Sequence, residues 1–192
     1  VVVLPSIPFG VQTGQREIPL CLNMNPSTQA ALLRDLAHSL VPHGVRKLVI
    51  LNGHGGNDFR QIIRELQPEV ALLLCQANWY SSVSPAEFFD APGDHAGEFE
   101  TSVMLHLARQ LTLPLTMAGP GHARPFRVRA FREGWAWTPR HWVEVTADTG
   151  VGSPAASRDG DAAVRPAPAA AASSPAASPV PAGPRGAPAG LP

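Results

Sequence analysis

Four consecutive large apolar residues, Leu48-Val49-Ile50-Leu51, stand between two segments of helical periodicity. Such a run suits a strand buried on both sides, as in a parallel sheet with helices over its faces. Ahead of it, Asn25-Pro26 supplies an N-cap residue and a first-turn proline. Ala30, Leu33, Leu36, Ala37 and Leu40 then recur at helical spacing until Pro42 and Gly44. Behind it, Asn57 or Asp58 can cap a helix with Phe59, Ile62, Ile63 and Leu66 as its apolar stripe. Pro68 closes that helix, and Val70 to Cys75 predicts a second buried strand. Helix, strand, helix, strand in about fifty residues requires a crossover connection and an α/β layered sheet.

A third helix is predicted over 97–109, burying Phe99, Val103 and Leu107. Beyond it, Arg127 to Arg132 alternates like a half-exposed strand, and the aromatic and β-branched stretch Trp137 to Thr146 predicts another. At the front, Val1 to Leu4 reads as a buried strand entered partway and cut short by Pro5 and Pro8.

Composition then divides the 192 residues. Nine of the 21 prolines fall in the last 40 residues, where 32 are Ala, Pro, Gly or Ser, too few large apolar groups to offset the entropy of ordering. Residues 1–152 are therefore read as the folding domain and 153–192 as a disordered tail. Fifteen basic and fifteen acidic side chains give no net charge, which argues against a nucleic-acid groove or an anionic membrane as partner. No apolar run approaches the ~20 residues of a membrane span. Cys21 and Cys75 match no metal or redox spacing, so the cytoplasm is the expected location.

Two motifs carry chemistry. Asn52-Gly53-His54-Gly55-Gly56-Asn57 follows the first predicted strand, at the strand end where ligands of open α/β sheets gather. It lacks the Lys-Ser/Thr pair of a phosphate-binding loop, so a nucleotide site is poorly supported. A generic glycine-rich turn with an incidental histidine is its plain alternative. Asp94-His95-Ala96-Gly97-Glu98-Phe99-Glu100-Thr101-Ser102 spans a loop-to-helix junction. There the two glutamates can simply compensate the helix dipole. With Phe99 facing the core, one of them is expected to face solvent. His95 and Glu100 can converge on a pocket if His95 lies just outside the helix. His54, His95 and Glu100 are donors of the type a hydrolytic metal centre needs, though too few for two ions.

These motifs, about forty residues apart, resemble the creatininase family (creatinine amidohydrolase and relatives). Pro5 to Gly10, the helix over 27–40 and the Asp148-Thr149-Gly150-Val151-Gly152-Ser153-Pro154 turn fit the same family in order. The resemblance implies a three-layer α/β/α fold with a mostly parallel sheet, a homo-oligomer (a hexamer in creatininase itself) and a hydrolase with two divalent ions, zinc or else manganese or iron. Its substrate would be a cyclic or related small amide, opened at a C–N bond by metal-activated water. On this pattern His54 matches a metal-binding histidine, His95 the histidine of proton transfer and Glu100 its acidic companion. A glutamate ligand two residues after the loop histidine is replaced by Gly56, so Glu100 is expected to be a metal ligand as well. The family's N-terminal Glu-x-His segment and bridging Asp have no counterpart in this sequence. The chain is accordingly read as truncated at its front, with an atypical tail, and a catalytically inert fragment is the alternative reading.

Other clusters have bland explanations. Trp135, Trp137 and Trp142 can line a substrate wall or pack under a loop. Arg124, Arg127, Arg129 and Arg132 read as a solvated face, and the five remaining histidines lack partners at ligand spacing. Asn78-Trp79-Tyr80 follows a strand end and borders the same pocket if that strand is correctly placed.

Overall fold

The computed structural model of the chain describes residues 1–158. The Ala/Pro-rich segment from 159 onward, and with it most of the expected disordered tail, lies outside the described residues. Helix α1 runs over Pro26–Leu40, strand β1 over Lys47–Asn52, helix α2 over Arg60–Leu66 and strand β2 over Leu73–Asn78. The two strands pair in parallel, from Lys47 opposite Leu73 to Asn52 opposite Asn78. The alternation of helix and strand thus yields the α/β fold with a parallel sheet that the periodicity requires.

Burial in this sheet is one-sided. Leu74 is buried, and Leu48 and Ile50 pack against a core made of Leu33 and Ala37 of α1 with Ile62 and Leu66 of α2 and Phe59 just before it. Leu66 and Ala37 have no exposed surface at all, and each large apolar side chain buried this way contributes about 1.5–3 kcal/mol. Val49, Leu51 and Leu73, on the opposite face, are exposed. The run that suggested burial on both sides therefore has one covered face among the described residues. A continuous apolar run fits either situation, because alternate side chains leave the strand in opposite directions.

Strand β2 begins three residues later than its apolar signal. Gln67 accounts for the shift: its side chain donates to Leu72 O at 2.8 Å and accepts from Leu74 N at 2.9 Å. That amide satisfies backbone groups before the ladder takes over. Val70 and Leu72 are buried under α2 rather than paired in the sheet.

Helix α3 spans Glu98–Ala108, close to the expected range. Phe99 is buried as expected, but Val103 is only partly covered and Leu107 is exposed, Leu105 being buried in its place. Two expected strands are helical instead. Arg129–Glu133 forms a short helix, α4, with an Arg129–Glu133 ion pair one turn apart and Gly134 in the left-handed region at its end. Trp142–Val145 forms a single turn, α5. Val1 to Leu4 carries no regular structure, and Val1, Val2 and Val3 are exposed, contrary to the buried strand expected there.

Across the composition boundary at 153, Pro154–Ala156 forms a 3-10 turn packed on α3. Ser157 Oγ donates to Glu98 O at 3.4 Å, and Arg158 N donates to Ser102 Oγ at 3.1 Å. Among the described residues no helix is long and apolar enough to cross a membrane, and Cys21 and Cys75 are both free.

Candidate functional site

The loop after β1 is held by an asparagine network. Asn52, buried at the strand end, donates to Asn78 Oδ1 at 3.0 Å across the sheet. Its own Oδ1 accepts from His54 N at 3.2 Å and Asn57 Nδ2 at 3.0 Å. Asn57 Oδ1 in turn accepts from Val11 N and from Gln29 Nε2, each at 3.0 Å. Asn57 is thus a hub that joins the N-terminal segment, α1 and the loop. It does not cap α2, which starts at Arg60, where Asp58 Oδ1 accepts the Arg60 N–H at 3.1 Å.

Within the loop, His54 Nε2 lies 3.1 Å from Val11 O. A carbonyl only accepts, so Nε2 carries the proton and a neutral ring keeps its lone pair on Nδ1. A metal-ligating histidine is commonly held in this way, with the other ring N–H fixed by a carbonyl. Gly56 is required here: a Cβ would come within 2.3 Å of His54 Nε2 and 2.6 Å of Val11 O. Gly53 and Gly55 face open space, so crowding explains neither.

The second motif is fixed from the far end of the chain. His95 and Val151 form an antiparallel bridge, with His95 N donating to Val151 O at 3.0 Å and Val151 N to His95 O at 2.8 Å. Gly152 makes the approach feasible, since a Cβ there would lie 2.6 Å from Gly93 Cα. Ala96 then takes φ +51, unusual for a residue with a Cβ, and reverses the chain into α3. Its N–H donates to Glu100 Oε2 at 2.7 Å, and that oxygen lies 3.8 Å from His95 Nδ1. The convergence of His95 and Glu100 expected from their spacing is realised, with both side chains half-buried. The His95 ring also packs on Trp142 at 4.7 Å, with the Arg140 guanidinium 4.9 Å beyond the indole and paired to Asp94. Of the tryptophan cluster, only Trp142 reaches this site; Trp135 and Trp137 are exposed.

Glu98 is the residue that sequence reasoning passed over. It is fully buried, accepts from Ala91 N at 2.8 Å through Oε2, and brings Oε1 to 3.9 Å from Arg158. Of the two helix-start glutamates one is thus buried, and the other, Glu100, keeps 38% of its side chain exposed, so the expected division between them is present in part. The signal was the helical position itself: Glu98 and Ser102 lie one turn apart, and both are buried.

Trp79 draws the two motifs to the same end of the sheet, with Nε1 3.5 Å from Gly53 O and its ring 5.1 Å from Phe99. Even so, among the described residues no three His, Cys, Asp or Glu side chains gather into a set able to hold a metal ion. His54 has the ring orientation of a ligand, and Glu100 pairs with His95 instead of joining it. These residues do not make up a two-metal centre.

Comparison with known proteins fits this picture. The creatininase (creatinine amidohydrolase) family profile matches residues 1–169. A crystal structure from Bacteroides fragilis, provisionally named a creatinine amidohydrolase, shares 46% identity with a TM-score of 0.76. The match covers 80% of this chain and 62% of that one. A creatininase mutant complexed with creatine shares the fold at 23% identity and TM-score 0.56, with 78% and 65% covered. No curated protein matches the chain. The alternation of helix and strand, the two motifs at one end of the sheet and the match over residues 1–169 place the chain in the creatininase family.

Proposed function

We propose that the chain represents an amidohydrolase that cleaves a C–N bond of a cyclic or related small amide, with His95 and Glu100 handling the proton. The observation that carries this reading is the His95–Glu100 pair at 3.8 Å, fixed at the start of α3 by the bridge to Val151. An imidazole beside a carboxylate can take a proton from water and return it to the leaving nitrogen. Glu100, anchored by the Ala96 N–H, orients the ring and offsets its charge when protonated. The Trp142 face keeps one side of the imidazole dry.

Metal dependence belongs to the proposal through the family resemblance alone, which makes His54 and Glu100 ligands of zinc, manganese or iron; in the structure Glu100 sits beside His95 instead. The described residues alone do not complete such a site, so no step is routed through a metal. Homo-oligomeric assembly is proposed on the same resemblance, and a cytoplasmic location on a sequence with two cysteines at no metal or redox spacing.

The test is hydrolysis of a panel that includes creatinine, formamides and peptide-like amides, with metal analysis of the same sample. Carboxylate formation that depends on about two bound zinc or manganese ions supports the reading. Formation without any bound ion removes metal dependence, and none from any amide removes the activity. The incomplete donor set among the described residues favours a second reading, an inert chain. That reading predicts no turnover whatever metal is added.

A further inference from the structure

Beside Glu100 runs an open groove of about 470 Å³ whose walls differ sharply in character. Ala96, Glu100 and Thr101 of the candidate site line it. Its apolar lining includes Met104 from α3 and Leu111, Leu113 and Met117 from the segment after it, all exposed. Gly119, Gly121 and Gly150 line it as well, beside Asp148, which accepts from Gly121 N at 3.0 Å and Gly150 N at 3.1 Å. These N–H groups hold the Asp148 carboxyl below its ordinary value, Gly121 most strongly.

Exposed apolar side chains gathered in one concavity mark a binding groove more often than chance packing. Its volume suits a small molecule rather than a polypeptide. Among the described residues no lysine, arginine or histidine lines it, so none of its described walls offsets a negative charge on a ligand. Two carboxylates line it, and Asp148 is already engaged with backbone N–H groups. A ligand would place a neutral or cationic polar end at Glu100 and an aliphatic or aromatic arm along Met104, Leu113 and Met117.

We propose that this groove binds the apolar arm of the substrate, which makes the substrate a neutral or cationic amide with a branched or aromatic substituent. The inference rests on the hydrolase reading for the word substrate, and on the groove alone for the ligand preference.

Methyl-labelled methionine separates the two by NMR, because Met104 and Met117 line the groove while Met24 is buried elsewhere. The full chain is titrated with N-acetyl-leucinamide, N-acetylglycinamide and N-acetyl-leucine. The expected result is that N-acetyl-leucinamide shifts Met104 and Met117 and leaves Met24 in place. The glycine amide, lacking the arm, should bind at least about tenfold more weakly. The free acid should bind more weakly as well. Leu113→Asp, at an exposed position, should weaken the leucine amide by a similar factor without unfolding the chain. Equal affinity for the leucine and glycine amides, tighter binding of the acid, or no shift at Met104 and Met117 would overturn the proposal. Self-association lost in Leu113→Asp would also overturn it by assigning the groove to a second copy. Binding as expected, with no hydrolysis of the same amide, would defeat the hydrolase reading and leave the ligand preference standing.

Discussion

His95 owes its place to a residue 56 positions later, Val151, and to the missing side chain of Gly152 beside it. Gly152→Ala would press a methyl against Gly93 Cα at 2.6 Å and Gly97 Cα at 3.2 Å, at φ +127. It should lower stability by about 3 kcal/mol, read as a reduced urea midpoint. Asp148, in the same turn, gives a pH signature. Its folded pKa lies below the ordinary value of 3.8, chiefly because Gly121 N–H bonds the ionised carboxylate. The resulting stabilisation is complete above the unfolded pKa and fades as pH falls through the folded one. The urea midpoint should therefore drop in acid below about pH 4, and Asp148→Asn should flatten that part of the drop. At this scale the placement of His54 after a strand end and of His95 and Glu100 at a helix start was legible in the sequence, because that spacing is local. It could not expose Val11 under His54, Trp142 under His95 or Arg158 beside Glu98, since each pairing joins residues more than 40 positions apart.

The strands and three longer helices followed directly from periodicity, because a period of 3.6 or an unbroken apolar run is written into neighbouring residues. Which sheet face would be covered was not, since Leu48 and Val49 are equally apolar and only their opposite directions decide burial. The one-sided sheet predicts unequal substitutions. Leu74→Ala, in the core, should cost about 2–5 kcal/mol, whereas Leu51→Lys, on the open face, should stay within about 0.5 kcal/mol by thermal or urea unfolding. Asn52→Ala should cost about 1–3 kcal/mol, because the amide of Asn57 and the carbonyl oxygen of Asn78 lose a buried partner. The misread α4 shows the limit of alternation as a signal. Arg-Val-Arg-Ala-Phe-Arg alternates, yet Glu133, which pairs with Arg129, and the left-handed Gly134 are helix features lying just beyond that window.

At the scale of the molecule, the family membership brings together a parallel α/β sheet, a histidine loop at its end and a helix start that carries an imidazole and two carboxylates. The chain spans 62% of the length of its Bacteroides fragilis relative, so its own activity has to be measured. The account places proton handling at His95, with Glu100 beside it. The decisive measurement is the rate of carboxylate formation from the amide panel, in zinc or manganese, by the chain and by His95→Asn at equal folded concentration. The account predicts turnover by the chain and a loss of about 10²–10⁴-fold in the variant. Equal rates in the two proteins, or no turnover by either, would contradict it.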